Sequence, residues 1–455
     1  MPFSWRGESL TEDQLESAAE MAVFDAEKLG AREAEAYASS IRGLRAEVVD
    51  GYLHYSSIFN EVGVGIRIVE DGATGFSFTN SLTKKDIRDA VERAFHLCKS
   101  SRPDFPPATL PKSLGKNQIG DSYDPRIAKI NVESVVNLAK EIVDGIMEVD
   151  KKHELHARGS VRSVELIRAV DTAGAGIVTE SVTMLQGLAR ATLRSDPLSS
   201  WSEWDGVRVG SLDGASEGST AAENCLSLKN ASKLADKPGP MLLDKQALAS
   251  IMSVAWRVFD ASWGGHLELG HQIGQPFLSI YDDEVAPNGI SSRGFDDEGL
   301  KTGLIRLVES GTVTTLLTNY RWAQKLKLNP TASAYRYGDR PFTASPQIGP
   351  TNISIKGDNE DLGEMLKGTR GGIHVIDARN VKLIGKMLTF SAFPAFEISN
   401  IGEDSSPVRP VDISIPIEQF FKRIIAVESG KKEYPGVSAS AVALSSSRGA
   451  RVGVP

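Results

Sequence analysis

The side chains best suited to hold a metal or move a proton are seven histidines: His54, His96, His153, His156, His266, His271 and His374. Two groups have spacing worth weighing. In His153-Glu154-Leu155-His156 the imidazoles are i, i+3 apart. A helical zinc pair wants i, i+4, which returns both rings to one face with a Glu as general base. The segment lies at the mouth of a strand-like run, so a solvated Lys151-Lys152-His153-Glu154 loop is the simpler reading. In Gly265-His266-Leu267-Glu268-Leu269-Gly270-His271 the rings are i, i+5, about 140° apart on an ideal helix. The flanking glycines argue against a regular helix. A loop can still converge His266, Glu268 and His271 on one ion, although no fixed third ligand or separate base accompanies them. A flexible loop beside a binding surface explains the same letters.

Other signatures of chemistry are missing from the sequence. It contains no P-loop, no G-x-S-x-G elbow and no H-E-x-x-H. Gly63-Val64-Gly65 precedes a strand-like run rather than a helix, which does not support a dinucleotide loop. Cys98 and Cys225 have no C-x-x-C partner, and Cys98 reads as a small buried hydrophobe on a helix stripe with Ala94 and Phe95. Two cysteines make neither a disulfide framework nor a four-thiolate zinc site, so a reduced, cytoplasmic setting is expected.

The elements that must position these residues begin with two marked helix starts. In LTEDQL and LTKKDI, Thr11 and Thr83 can cap the free N–H groups, and Gln14 and Asp86 can reach back to the caps. Leu10 with Leu15, and Leu82 with Ile87, fit hydrophobic staples. Between the helices lie β-like runs at Glu35–Ser39, Leu44–Val49, Gly63–Val69 and Gly75–Thr79, separated by turn signals at Arg42-Gly43, Asp50-Gly51 and Asp71-Gly72.

A proline-rich connector near 101–125 follows, and then the layout recurs. Asn131–Val149 is helix-like. Gly159–Ala169, Gly176–Val182 and Gly187–Leu193 are strand-like, and Thr220 to Glu223 reads as a box opening a helix near 221–234. This predicts a duplicated helix–sheet–helix unit. After Asp236-Lys-Pro-Gly-Pro240 come a strand at Met241–Leu243, a helix over Lys245–Asp260, a hairpin at Leu304–Leu317, and closing strands at Ile424–Glu428 and Val437–Leu444. The class is α+β: an N-terminal α+β domain over 1–238 and a β-rich C-terminal domain over 239–455.

The 455 residues exceed one ordinary core. With 41% hydrophobic and 24% charged residues, the chain reads as globular. A net charge of −8 without a long basic run speaks against nucleic-acid binding. The most apolar helix-like run, Ala247 to Trp256, is broken by Ser250 and Ser253 and is far short of a bilayer span. The first ten residues hold no apolar stretch of signal-peptide length.

Five stretches resemble the TldD/PmbA family in the right order. They are GAREAEAYASSIRGLRAEVVDG, GVGIRIVEDGATGFSFTNSLTKKDIRDAVERA, NGISSRGFDDEGLKTGLIRLVESGTVTTLLTNYRWAQKLKL, PTNISIKGDNEDLGEMLKGTRGGIHV and PVRPVDISIPIEQFFKRIIAVESG. The family pairs a catalytic TldD kind of subunit with a TldE/PmbA kind. The TldD kind carries H-E-x-x-x-H on a C-terminal-domain helix and a late cysteine as a further metal ligand. Here the matching helix reads ALASIMSVAWRVFDAS. Ser253 and Val254 stand where the first His and the Glu would be, and Val258 where the second His would be. No Cys follows Cys225. A T-G-D-F-S-like stretch of the PmbA kind is reduced to MLTFSAFPAFEISN, which keeps Phe390-Ser391 but not the Gly-Asp.

The resemblance therefore implies a non-catalytic TldE/PmbA-like subunit. It would hold no cofactor of its own and would partner a TldD-like chain whose metal, zinc by expectation, cleaves unfolded or leader peptides. Two other readings stay open: an independent metallohydrolase using His266, Glu268 and His271, and a metal-free homodimeric peptide-binding scaffold.

Overall fold

The computed structural model describes residues 10–234, 239–446 and 451–453. Helix α1 (Glu12–Lys28) starts on the expected box: Thr11 Oγ1 accepts from the Gln14 N–H at 3.3 Å, and the Thr11 N–H donates to Gln14 Oε1 at 3.0 Å. Strands β1 (Glu33–Val49), β2 (Tyr52–Glu70) and β3 (Ala73–Thr79) follow, then α2 (Lys84–Ser100). Thr83 caps α2, but only half of the second box forms. The Thr83 N–H donates to Ser81 Oγ at 3.2 Å, and Asp86 instead accepts from the Thr83 hydroxyl at 2.6 Å. An aspartate is one carbon shorter than the Glu or Gln this motif uses.

The unit then repeats. After a short helix, α3 (Pro125–Ala128), come α4 (Val132–Val149), strands β4 (Leu155–Thr172), β5 (Gly176–Leu193) and β6 (Ser200–Val207), and helix α5 (Gly214–Ser227). The six strands form one antiparallel sheet in the order β3-β2-β1-β4-β5-β6. Its two halves join where β1 runs antiparallel to β4, from Glu35 opposite Thr172 to Val49 opposite Arg158. Each half is thus a helix, three strands and a helix, as the recurring layout predicted.

Several sequence expectations are corrected here. Arg42-Gly43 is not a turn, because β1 runs unbroken through it. Gly43 is needed for close approach instead: a Cβ there would collide with the Ser163 carbonyl of β4 and stand 2.6 Å from the Phe59 ring. The runs at 176–182 and 187–193 are one strand, and β6 was not foreseen. The helix expected at 221–234 starts earlier, where Asp213 accepts from the Ser216 N–H at 3.1 Å, and Thr220 lies inside it. Gly218 on α5 and Gly145 on α4 let these helices touch, since a Cβ on either would strike the other helix's backbone.

The even-numbered β1 residues Ala34, Ala36, Ala38, Leu44, Ala46 and Val48 share one face with the helices. Odd positions turn the other way. Tyr37 there packs with Val170, Phe295 and Phe342, which joins the sheet to the C-terminal half. The proline-rich connector lies along the β5 edge. The Leu114 N–H donates to Ala175 O at 3.2 Å, and the Thr183 N–H to Ser122 O at 3.0 Å.

Beyond the boundary read at 236–240, of which 236–238 lie outside the described residues, the chain is β-rich. A six-stranded sheet contains Met241–Leu243, Ile373–Val375, Ile424–Val427 and Val442–Leu444, and a second six-stranded sheet contains Ser279–Asp283, Leu304–Glu309 and Asn352–Lys356. The closing run expected at 437–444 is two strands, in different sheets. The helix expected over 245–260 is α6 (Lys245–Ala255) followed by a 3-10 turn at Trp256–Phe259. Among the described residues no helix is long and apolar enough to cross a membrane.

Charged side chains weld the halves. Arg67 of β2 meets Glu35 and, at 2.8 Å, Glu298, while Arg336 reaches Glu35 at 2.7 Å. Arg168 of β4 pairs with Glu180 at 2.7 Å and with Asp297. All seven are buried, so each charge depends on its partners to offset lost hydration.

Candidate functional site

Helix α6 and the 3-10 turn after it carry the positions where the family resemblance places metal ligands. Its first turn is fixed by Asp244, which accepts from the Lys245 N–H at 2.5 Å. Behind Asp244 lies His374, 4% exposed. Its Nδ1 is 2.8 Å from Asp404 Oδ2, and its Nε2 is 3.4 Å from Asp244 Oδ2, within ion-pair range but outside hydrogen-bond geometry. Burial opposes a charge on this ring, but the two carboxylates outweigh it and push its pKa up to about 9. His374 is therefore an imidazolium brace between the start of α6 and the Asp404 strand. Its strand placement gave the sequence no such signal, because both carboxylates are distant in the chain.

The side chains along α6 do not fit a metal. Ser253 is exposed, and its hydroxyl donates to Ser250 O at 2.7 Å. Val254 offers only hydrocarbon. Val258 lies past the end of α6, in the 3-10 turn, fully buried in the core with Ile251, Met252 and Phe259. None of the three is an imidazole, carboxylate or thiolate.

Nor are the sequence-selected histidines brought together. His266 Nδ1 sits 2.7 Å from Trp263 O, His271 Nε2 lies 3.5 Å from Glu418, and Glu268 is exposed. His156 turns its Nδ1 to Asp50 at 3.0 Å, and His153 stands in a positive-φ turn. Among the described residues no group of three or more His, Cys, Asp or Glu is arranged to hold a metal ion. Both cysteines are buried, as read for Cys98, and burial pushes both thiols up.

What the end of α6 does form is a cleft of about 420 Å³, lined by Trp256, Arg257, Asp260, Asn319, Trp322 and Tyr337 among others. Asp260 Oδ1 accepts from the Ser262 N–H at 2.8 Å and the Ser262 hydroxyl at 2.6 Å. Burial still pushes its carboxyl up, against the pull of these bonds and of Arg257. Burial also raises Tyr337 to about 12, with its hydroxyl donating to Ile348 O at 3.1 Å. Asn319 Oδ1 caps the helix Tyr320–Leu326 by accepting from the Trp322 N–H at 2.9 Å. Two indoles, a phenol, a guanidinium and a carboxylate suit binding of an amphipathic chain segment. The sequence reading missed this cleft because its walls come from three separated segments. A hint was present in Trp256-Arg257 and Asp260 directly after the helix.

Comparison with known proteins gives a consistent picture. Residues 237–449 match the model described as PmbA/TldA metallopeptidase C-terminal domain, and residues 34–98 match PmbA/TldA metallopeptidase domain 1. A curated relative from Haemophilus influenzae, named Metalloprotease PmbA homolog, is 22% identical over 447 residues, covering 91% of each chain. The Metalloprotease slr0863 of Synechocystis is 30% identical over 167 residues, which span 36% of this chain and about a third (34%) of that protein. Among solved structures, TldE from Thermococcus kodakarensis superposes with a TM-score of 0.84 at 17% identity, covering 94% of this chain and 99% of that one. A Thermotoga maritima structure gives 0.81 at 21% identity, covering 94% and 98%. At these identities the structural likeness speaks for the fold.

Proposed function

This chain belongs to the TldD/PmbA family and resembles its TldE/PmbA members, and from that premise we propose that it is the metal-free partner subunit of a two-chain metallopeptidase. The observation that carries the reading is the chemistry of Ser253, Val254 and Val258, a satisfied hydroxyl and two hydrocarbon side chains where the catalytic kind of subunit has two imidazoles and a carboxylate. Hydrolysis then belongs to a TldD-like partner and its metal, with unfolded or leader peptides as substrates. This chain contributes a wall of the chamber. The cleft after α6 lies beside the degenerate helix and has the amphipathic lining that an extended peptide needs.

Metal content and peptidase activity of the purified chain, alone and after addition of a TldD-like chain, test the proposal. The expected result is no stoichiometric metal and no cleavage alone, with cleavage on addition of the partner. Metal-dependent cleavage by this chain alone, abolished by His271→Ala, would establish the independent-hydrolase reading instead.

A further inference from the structure

Five arginines are buried among the described residues. Arg67, Arg168 and Arg336 meet carboxylates in the network between the halves, and Arg293 meets Glu284 at 3.6 Å. Arg208, directly after β6 and 7% exposed, is the exception. Its Nη1 is sealed from solvent with no hydrogen-bond partner, and among the described residues no carboxylate lies in ion-pair range of its guanidinium. Glu180 is near enough to act on it, but that carboxylate is already committed to Arg168 at 2.7 Å and to the Gly294 N–H at 2.9 Å. Burial therefore holds the Arg208 pKa below the ordinary guanidinium value, against the pull of Glu180 and helped by the repulsion of Arg168.

A buried cation without a counter-charge is costly and needs an explanation. The backbone that carries this one is held on both sides. Arg208 O accepts from the Thr183 hydroxyl at 2.8 Å, and the Gly210 N–H donates to Asp124 Oδ2 at 3.0 Å. Arg208 lines a cleft of about 390 Å³, whose other walls include Asp121, Asp205, Ile290, Lys432 and Glu433. Most polar groups there are already satisfied. Asp205 accepts from the Gly206 N–H at 2.8 Å, and Lys432 pairs with Glu203 at 3.4 Å. Glu433 Oε1 meets the Ser438 hydroxyl and Lys431, both at 2.9 Å, but its Oε2 is buried without a partner. The cleft thus combines a donor in need of an anion with an acceptor in need of an N–H or O–H.

We propose that this cleft binds a peptide carboxyl terminus, with the carboxylate against Arg208 and the adjoining amide N–H toward Glu433. A carboxylate matches the guanidinium fork. Its single charge also suits a cleft rimmed by Asp121, Asp205 and Glu433 better than the double charge of phosphate, which these groups would repel. The site shares no residue with the cleft after α6 and does not depend on the subunit reading above, since it is measured on this chain alone.

Calorimetric titration of the full chain with N-acetylglycine, N-acetylglycinamide and inorganic phosphate tests it. The wild type is expected to bind the free acid about tenfold or more tightly than the amide. Arg208→Gln is expected to weaken the acid by a similar factor and to melt no lower than the wild type, because it removes an unpaired buried charge. A merely structural arginine would instead lower the melting temperature when replaced. Lys432→Met, altered at a side chain more than a third exposed, keeps the test open should Arg208→Gln fail to fold, and is expected to weaken the acid a few-fold. No binding of the acid by the wild type, undiminished binding by either variant, or tighter binding of phosphate overturns the proposal.

Discussion

Arg67 of the N-terminal sheet and Glu298 of the C-terminal half are ion-paired at 2.8 Å in the interior, and the same guanidinium nitrogen also meets Glu35. One side chain thus ties two long strands to a loop more than two hundred residues away. Removing one member strands the others. Arg67→Met leaves Glu35 with Arg336 but Glu298 without its cation, and is expected to destabilise by about 3–5 kcal/mol. Urea unfolding followed by circular dichroism measures this. A loss below about 1 kcal/mol would mean that water enters the junction and screens the charges.

Gly43 makes a sharper steric prediction. Its β1 backbone faces the Ser163 carbonyl with no room for a methyl group. Gly43→Ala should cost about 1–3 kcal/mol by forcing the two central strands apart. Thermal melting of that single variant checks it, with Gly30→Ala unsuited as control because its φ of +91° adds a separate strain.

The His374 brace gives a pH dependence with a defined sign. Its pKa is raised to about 9 in the fold, above the ordinary imidazole value of about 6.5. The stabilisation is therefore full below about pH 6.5 and is lost as pH rises through about 9, with a magnitude on the order of 3 kcal/mol. Melting temperature against pH should fall across that window in the wild type and should fall less in His374→Gln.

Glu217 of α5 behaves in the same direction with opposite chemistry. Both carboxylate oxygens lack a hydrogen-bond partner, and burial, then the nearby Asp205, push its pKa up to about 7. The neutral form suits the fold, so stability falls as pH rises from the ordinary carboxylate range through about 7. Glu217→Gln should raise the melting temperature near pH 8 and leave it unchanged near pH 4. Equal effects at both values would show that the carboxylate is solvated after all.

Local signals carried the first layer of this architecture well. Thr11 with Gln14 and the Asp50-Gly51 and Asp71-Gly72 turns are chemistry within a few residues, and each appears where the letters placed it. The failures came from contacts distant in the chain. Gly43 and Gly187 looked like punctuation, whereas their lack of a Cβ serves neighbouring strands and helices. The capping box at Thr220 lost to the earlier Asp213 cap, set by packing of α5 on α4. For the site, the family resemblance pointed to Ser253, Val254 and Val258, which lie along α6 and in the turn after it. The letters could not assemble the cleft, whose Trp256, Asn319 and Tyr337 converge only in three dimensions. The buried Arg67, Arg168 and Glu35 were hints in plain view, as charges at inward positions of apolar strands.

Val258 is sealed in hydrocarbon at the end of the α6 segment. On the proposed assignment, the interior is closed around a valine where the catalytic kind of subunit has an imidazole. Building such an ion site here would demand simultaneous exchanges at three positions, one of them forcing a polar ring into filled space. Packing alone thus sets a steric cost on placing an imidazole at Val258, whatever task the chain performs.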